Sequence, residues 1–245
     1  MGAVKMKVTL LKYTPDPEGI VAMGARLCYS AAGIDELGEK LTGEERGRFI
    51  DMLLASGHHS PVEHASFTFG VEGVSRSLLA QITRHRIASF SVKSQRYVSE
   101  ESVSQEDGVF GYVVPPRIAS LGSAYVEEYA AQMKKIQEWY DRWVKLLGGG
   151  RDAYEDARFV LPNAAETKFL VTMNARELLH FFTLRCCRRA QWEIRALATE
   201  MLRQVKRVAP HVFARAGPAC LRGPCPEGRW SCGESEAVRN FFADL

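Results

Sequence analysis

The sequence predicts an α/β protein of the α+β type, with a mixed central sheet flanked by helices. Short segments alternate apolar and polar residues, as half-buried strands do, and longer segments repeat apolar residues every three or four positions, as amphipathic helices do. The chain has 245 residues, of which 46% are hydrophobic, so it can bury a complete core. We expect a folded domain at residues 1–216 and, outside the fold, a tail at residues 217–245 that bears cysteine, glycine and proline.

The overall composition argues against a partner that is a nucleic acid or a membrane. The net charge of +3 is too small to create a global field that attracts a polyanion. No apolar run approaches the roughly 20 residues that span a bilayer, and the N-terminus lacks the apolar core of a signal peptide. We therefore expect a cytoplasmic protein, in which the six cysteines are thiols or ligands and not disulfides.

The first elements follow from residue alternation and from helix-capping residues. Residues 6–10 alternate as a strand, and Asp16 followed by Pro17 supplies an N-cap and a first helical residue. Thr42 and Glu45 form a capping box for a second helix. A strand and two helices therefore open the chain.

A strand and a helix then lead into the most basic segment of the chain. Ser60 starts a single helical turn, and residues 67–71 alternate as a strand. Ser75 is expected to cap a helix that ends near Arg84, and residues 90–98 are expected to be extended. Cations are favourable at the C-terminus of a helix, so this placement of the arginine carries no strain.

A long amphipathic helix is indicated between a proline pair and a run of three glycines. Its apolar residues recur at spacings of three and four, which is the period of one helix face. We interpret this stripe as core or subunit interface. Its members are Leu121, Tyr125, Tyr129, Met133, Ile136, Tyr140, Trp143 and Leu147.

Three further helices and one strand complete the predicted fold. A helix that starts at Asp152 with a capping box is stopped by Pro162, and residues 168–173 alternate as a strand. Asn174 opens a helix that is apolar on nearly every side, so we expect it to be buried. The last helix spans roughly residues 191–208.

The segment from Gln81 to Val98 holds the densest group of hydrogen-bond donors in the chain. Guanidinium groups bind phosphate or carboxylate through two parallel hydrogen bonds, and hydroxyl groups add neutral contacts. Two alternatives stay open, a solvated basic loop and a nucleic-acid-binding strip that stacks bases on Phe90 and Tyr97. The donors are Arg84, His85, Arg86, Lys93 and Arg96, with Ser89, Ser91 and Ser94.

A metal-dependent or serine hydrolase is poorly supported. His58, His59 and His64 lie near Glu63, but one residue too many separates His59 from Glu63 for the H-x-x-E-H zinc pattern. Ser94 has basic neighbours but no G-x-S-x-G elbow. We therefore expect no metal site here and no serine nucleophile.

The cysteines give weak signals by their spacing. Cys220, Cys225 and Cys232 in the tail lack a C-x-x-C pair, so a flexible, thiol-bearing tail is favoured over a zinc site. Cys186 and Cys187 follow a buried helix, where a cysteine is usually an inert apolar residue. Neither is expected to be a nucleophile.

Several motifs resemble those of the flavin-dependent thymidylate synthases, in the order in which that family has them. Arg84, His85 and Arg86, followed by seven residues and Ser94, match the family's RHR-x7-S signature. The matches together cover about residues 5 to 213. The others are G-H-x-[ST]-P-x-E-H at Gly57 to His64, L-P at Leu161-Pro162, N-A-R at Asn174 to Arg176, and A-Q-W-E-I at Ala190 to Ile194.

This resemblance implies a homotetramer of α/β subunits with four active sites built between chains. Such enzymes convert dUMP to dTMP, with FAD as cofactor, 5,10-methylenetetrahydrofolate as one-carbon donor and NADPH as reductant, and release tetrahydrofolate. The domain at residues 1–216 would then be a flavin-dependent thymidylate synthase domain. No enzyme nucleophile and no metal are required.

The resemblance also implies site residues. Arg185 is the catalytic residue, expected to stabilise negative charge that develops on the uracil. Val92 stands where the family usually has Glu or Gln, His180 where Asn is common and Cys28 where Ser is frequent. The implied flavin and folate contacts are His58, Ser60, Arg84, His85, Arg86, Val92, Asn174, Arg176 and His180. The implied dUMP contacts are Gln81, Arg84, Lys93, Ser94, Gln95, Arg96, Arg158 and Arg185.

Overall fold

The computed structural model describes residues 2–37 and 43–245. The chain divides into two compact units. Unit 1 consists of Met1–Lys7, Val71–Arg84 and Phe90–Leu170. Unit 2 consists of Val8–Gly70, His85–Ser89 and Val171–Leu245.

Within the described part of the chain, four strands form one sheet with the order β1-β2-β4-β3. The strands are β1 (Lys7–Tyr13), β2 (Ser66–Ser75), β3 (Ala88–Val92) and β4 (Glu166–Asn174). In all four, less exposed and more exposed positions alternate over at least part of the strand, which is the period that the sequence shows.

The sheet is antiparallel where its pairings are explicit, and not mixed as we predicted. The hydroxyls of Thr68 and Thr172 lie 2.9 Å apart, while the backbone N–H of Gly73 donates to the carboxylate of Glu166 over 3.2 Å. Later residues of β2 thus meet earlier residues of β4. Only antiparallel strands pair in this way.

The helices are α1 (Pro17–Leu27), α2 (Ile34–Leu37), α3 (Gly43–Ala55), α4 (Arg76–Ile82), α5 (Pro116–Ala119), α6 (Ser123–Leu146), α7 (Gly150–Ala157), α8 (Ala175–Arg185), α9 (Trp192–Val208) and α10 (Ser235–Ala243). Within residues 2–37 and 43–245, none of them is both long enough and apolar enough to cross a membrane.

Three of the predicted helix caps are confirmed. The side chain of Asp16 accepts from Gly19 N at 3.1 Å, and the hydroxyl of Ser75 accepts from Leu78 N at 3.1 Å. Asn174 Oδ1 accepts from Glu177 N at 2.9 Å, so α8 begins where its sequence predicts. The capping box that begins at Thr42 lies outside the described residues and stays a prediction.

Two boundaries differ from the sequence prediction. α7 begins at Gly150, with Gly149 and not Asp152 as its N-cap, because the glycine φ of 74° is accessible there. The extended segment predicted for residues 90–98 ends at Val92. Ser94 then forms a turn, in which its hydroxyl accepts from Arg96 N at 3.2 Å.

The helix α6 covers 24 residues, and its apolar stripe is divided between core and surface. Met133, Tyr140 and Val144 are buried, whereas Tyr125 and Trp143 are about half exposed. Tyr140 also accepts a hydrogen bond from Glu100 N through its hydroxyl at 3.3 Å. The helix therefore packs along its middle and leaves aromatic side chains at the surface.

The C-terminal segment packs as part of unit 2 and is not the tail outside the fold that we expected. Its helix α10 buries Val238 and Phe242, and Arg239 Nε donates to the carbonyl oxygen of Cys220 at 2.9 Å. Val238 and Phe242 are four positions apart, so they lie on the same face of this short helix and pack it against the rest of the unit. The sequence signal was masked by the glycines and prolines around it.

Candidate active site

The site residues that the resemblance implies are distributed over both units. Those in unit 2 are His58, Ser60, His85, Arg86, Asn174, Arg176, His180 and Arg185. Those in unit 1 are Gln81, Arg84, Val92, Lys93, Ser94, Gln95, Arg96 and Arg158.

A buried histidine connects a carboxylate to an arginine in unit 2. His85 Nδ1 lies 3.0 Å from Glu177 Oε1, and Arg185 Nε donates to His85 Nε2 over 3.0 Å. Because Nε2 accepts, the proton of the neutral ring is on Nδ1 and is donated to Glu177. The three side chains therefore form one directed chain of hydrogen bonds.

The pKa of His85 is lowered, in keeping with a neutral ring. Burial is the largest cause, and the charge of Arg185 acts in the same direction, while the hydrogen bond to Glu177 opposes both. Burial also lowers the pKa of Arg185, but a guanidinium starts so high that it keeps its charge. The charged guanidinium of Arg185 therefore donates to a neutral imidazole whose orientation is fixed by Glu177.

The helix α8 presents this chain from a single face. Glu177, Phe181 and Arg185 are spaced by four residues, so they follow one another along the helix. The ring of Phe181 meets the ring of His85 edge to face, with 4.9 Å between centroids. Sequence analysis missed Glu177 as a site residue because its position three residues after Asn174 made it look like part of a cap.

The other implied flavin contacts in unit 2 are more exposed. Arg176 forms an ion pair with Glu63, and both side chains are about half exposed. The ring of His180 lies 6.1 Å from that of His85 between centroids. His58 meets Tyr29 edge to face. Ser60 and Arg86 are exposed, Ser60 at the start of the short 3-10 helix Ser60–His64.

A cavity of about 410 Å³ in unit 2 includes two of these implied contacts, Arg176 and His180. Most of the other side chains that could face an anion there were not predicted. They come from the loop before the 3-10 turn and from the segment after α9, so no single motif marks them. These additional lining residues are His59, His211, Arg215 and Arg222.

The implied dUMP contacts in unit 1 surround two glutamates. Lys93 Nζ lies 2.6 Å from Glu100 Oε1, with both side chains largely buried. Arg96 Nη2 lies 2.7 Å from Glu155 Oε2, and Arg158 Nε donates to the backbone oxygen of Glu155 at 3.0 Å. The glutamates hold these cations in place while leaving other donor atoms unused.

Two buried donors in this group have no partner among the described residues. They are Gln95 Nε2 and Arg96 Nε, on consecutive residues of the turn that follows β3. A buried donor without a partner costs roughly 1 to 3 kcal/mol. Such atoms are expected where a ligand completes the hydrogen bonds.

Sequence analysis also missed Arg76 in unit 1. Burial lowers the pKa of Arg76, and the charge of Arg158 lowers it further, against an opposing effect of Glu100. Burial likewise raises the pKa of Glu100, although Lys93 opposes that rise. Arg76 is the first residue of α4 and belongs to none of the recognised motifs. It lies near Arg158 only because of the fold.

The aromatic rings of the nucleic-acid alternative are already in contact with protein. Phe90 packs against Phe169, with 6.3 Å between ring centroids. The guanidinium of Arg151 lies over the ring of Tyr97 at 4.2 Å. These contacts occupy part of the ring surface on which a base would stack, which weakens that alternative.

Two observations bear on the hydrolase alternatives. In residues 2–37 and 43–245, no three His, Cys, Asp or Glu side chains are arranged to hold a metal ion. Burial raises the pKa of the Cys186 thiol to about 12, so it stays protonated and unreactive at neutral pH.

The fold presents clusters of arginine, lysine and histidine donors that suit anionic ligands. Comparison with known proteins makes this specific. The family model described as "Thymidylate synthase complementing protein" matches residues 9–211. The chain is 55% identical to the flavin-dependent thymidylate synthase of Geobacter sulfurreducens over 98% of this chain and 99% of that protein. It is 47% identical to the enzyme of the same name from Clostridium tetani, over 97% of each chain.

The chain therefore belongs to the flavin-dependent thymidylate synthase family and is a methyl-transferring enzyme. Its fold resembles that of the UMP/dUMP methylase PolB from Streptomyces cacaoi, with a TM-score of 0.73 and 23% identity, over 86% of this chain and 94% of that one. It also resembles thymidylate synthase X from Helicobacter pylori, with a TM-score of 0.63 and 23% identity, over 85% and 97% of the two chains.

Proposed function

We propose that this protein converts dUMP to dTMP with FAD as cofactor, 5,10-methylenetetrahydrofolate as one-carbon donor and NADPH as reductant, releasing tetrahydrofolate. The observation that carries the proposal is the pair of unpartnered buried donors on Gln95 and Arg96. Both belong to the segment in which the family signature predicts dUMP contacts. The solved structures similar in fold were crystallised with dUMP or its 5-bromo derivative, which agrees with a nucleotide at such donors.

The dUMP-binding set is cationic enough to bind a phosphate. Each charge-assisted hydrogen bond contributes roughly 1.5 to 3 kcal/mol, so two or three of them support micromolar binding. Neutral contacts from Ser94 and the two glutamines would add selectivity for the base and sugar. The set consists of Gln81, Arg84, Lys93, Ser94, Gln95, Arg96, Arg158 and Arg185.

The catalytic role falls to Arg185. We assign its guanidinium to the uracil edge, where it stabilises negative charge developing across N3 and the adjacent carbonyl and so makes C5 a better nucleophile. Arginine is not a base at neutral pH, so its effect is electrostatic. The hydrogen bond from its Nε to His85 fixes the direction in which the remaining donors point.

The residues of unit 2 suit a flavin dinucleotide. The cavity that contains Arg176 and His180 offers further cationic or polar donors for a diphosphate. A bound flavin would supply the hydride-transfer chemistry, with NADPH as the reductant. The chain's own part is to bind and orient the flavin, through His58, Ser60, His85, Arg86, Asn174, Arg176 and His180. From unit 1 the family motifs add Arg84 and Val92, and at Val92 only backbone atoms can supply polar contacts.

We also propose a homotetramer with active sites between chains, located in the cytoplasm. Half-exposed Trp139 and Trp143 on α6, with Leu146 and Leu147 beside them, supply an apolar surface that a second chain could cover. Light scattering at micromolar concentration should give the mass of four chains, whereas a monomer would contradict this part of the proposal.

Purified protein tests the ligand assignments directly. After incubation with FAD and removal of free flavin, the protein should absorb as a flavoprotein, and dUMP should bind with micromolar affinity. Nucleic-acid binding with a steep salt dependence, or chelator-sensitive hydrolysis, would instead favour the alternatives. Protein that retains no flavin and binds no dUMP would overturn the proposal.

A further inference from the structure

Four cysteines line one cavity of about 360 Å³ in unit 2, and Arg185 is the one member of the proposed dUMP set that also lines it. They are Cys187, Cys220, Cys225 and Cys232, and all four are free thiols. Sequence spacing did not bring them together, because Cys187 precedes α9 while the other three follow it. The packing of the C-terminal segment against the connection between α8 and α9 places them around a common space.

Ion pairs hold the cysteine-bearing loops to that connection. Arg188 pairs with Glu234, and Arg189 pairs with Glu227. Each glutamate is two residues from a cysteine of the cavity, Cys232 or Cys225. The loops are therefore fixed at the points where they carry thiols.

The charges around the cavity suit a bound cation. Four thiolates around one space would repel one another unless a cation lay between them. Arg188 and Arg189 also line the cavity and would offset an excess of negative charge.

We propose that this cavity binds one Zn²⁺ through the four thiolates of Cys187, Cys220, Cys225 and Cys232, as a structural site that fastens the C-terminal segment to unit 2. Four sulfur ligands at about 2.3 Å in a tetrahedron form a closed structural zinc site. As each Zn–S bond forms, one thiol proton passes to solvent, and no oxidant or reductant is needed. The thiols do not already converge as a metal-binding group, so binding requires rotation of the cysteine side chains.

Metal analysis of the purified full chain tests this. The wild type should contain one zinc per chain, and Cys225→Ser should lose it. Cys225 is half-buried on a loop, so its replacement removes a ligand without opening the core. Cys28→Ser is the matched control, because Cys28 is exposed and lies outside the cavity, and this variant should keep its zinc.

Cobalt provides a second readout that needs no variant. Metal-free wild type titrated with Co²⁺ should develop the visible bands and the sulfur-to-cobalt charge transfer of a tetrahedral tetrathiolate site, saturating at one equivalent. Wild type without zinc and without this spectrum, or with disulfides among the four cysteines as purified, would overturn the proposal. The outcome is independent of flavin and dUMP binding, so it leaves the proposed catalytic function untouched.

Discussion

Arg185 Nε donates to His85 Nε2 over 3.0 Å, and this bond requires the imidazole to be neutral. His85 belongs to the RHR signature, whereas Arg185 ends α8 a hundred residues later. The signature histidine therefore acts here as a support for the proposed catalytic arginine. Glu177 completes the support by accepting from the other ring nitrogen.

Replacing Glu177 by Gln should lower kcat more than it raises KM. A neutral amide still fills the space and can accept from His85, but it loses about 1 kcal/mol of charge-assisted bonding, or roughly a fivefold change in rate. Steady-state kinetics at saturating dUMP and folate measure it. Glu44→Gln on exposed α3 is the control, and an equal loss of rate in both variants would argue against a positioning role.

Stability should depend on pH through His85. Because its pKa in the folded protein is lowered, the stabilisation is complete above the unfolded value of about 6.5 and is lost as the pH falls through the folded value. The slope approaches about 1.4 kcal/mol per pH unit for one proton. Denaturant unfolding of the wild type and of His85→Gln, whose side chain can make both hydrogen bonds without titrating, should differ in this slope; parallel curves would contradict the assignment.

Replacing the buried amide of Gln95 should raise the stability of the protein and weaken its binding of dUMP. Gln95→Leu removes an unpartnered donor, so the ligand-free protein should gain roughly 1 kcal/mol in its free energy of unfolding. The same change should weaken dUMP binding about fivefold, the value of one lost hydrogen bond. Gln132→Leu on the exposed face of α6 should do neither, and a Gln95→Leu variant that binds dUMP as the wild type does would remove Gln95 from the site.

Flavin affinity should depend on Arg176 but not on its ion-pair partner. Arg176→Ala removes a charge-assisted donor and should weaken FAD binding by roughly 1.5 to 3 kcal/mol, or about 10- to 150-fold. Glu63→Gln breaks only an exposed pair, so stability should change by less than about 1 kcal/mol and FAD should bind at least as tightly. Fluorescence quenching of added flavin reports both, and weaker binding in Glu63→Gln would place the glutamate itself in the site.

Local patterns predicted the parts of the fold that depend on neighbours in sequence. The caps at Asp16, Ser75 and Asn174 are satisfied within three residues, so their signals are readable without tertiary structure. The direction of the strands could not be predicted in this way, because it depends on the pairing of Thr68 with Thr172, about a hundred residues apart in the sequence. The mixed sheet was predicted where the structure is antiparallel.

The candidate site also combines residues that a local motif predicts with residues that only long-range contacts bring together. The RHR-x7-S signature predicts His85 and Ser94 as site residues, because the family motif fixes their spacing. Glu177, Arg76 and the four-cysteine cavity were missed or undervalued, since each depends on a contact between distant segments. Glu155 was also misjudged, because it is the second residue of the capping box predicted at Asp152 but its carboxylate pairs with Arg96 instead.

Formation of dTMP by the purified protein, with and without FAD and with Arg185 replaced by Ala, tests the central claim most directly. With dUMP, methylenetetrahydrofolate and NADPH at saturation, we predict turnover that requires FAD and falls by about 10²- to 10³-fold in Arg185→Ala. Wild-type protein loaded with FAD that forms no dTMP, or an Arg185→Ala variant that turns over at the wild-type rate, would contradict it.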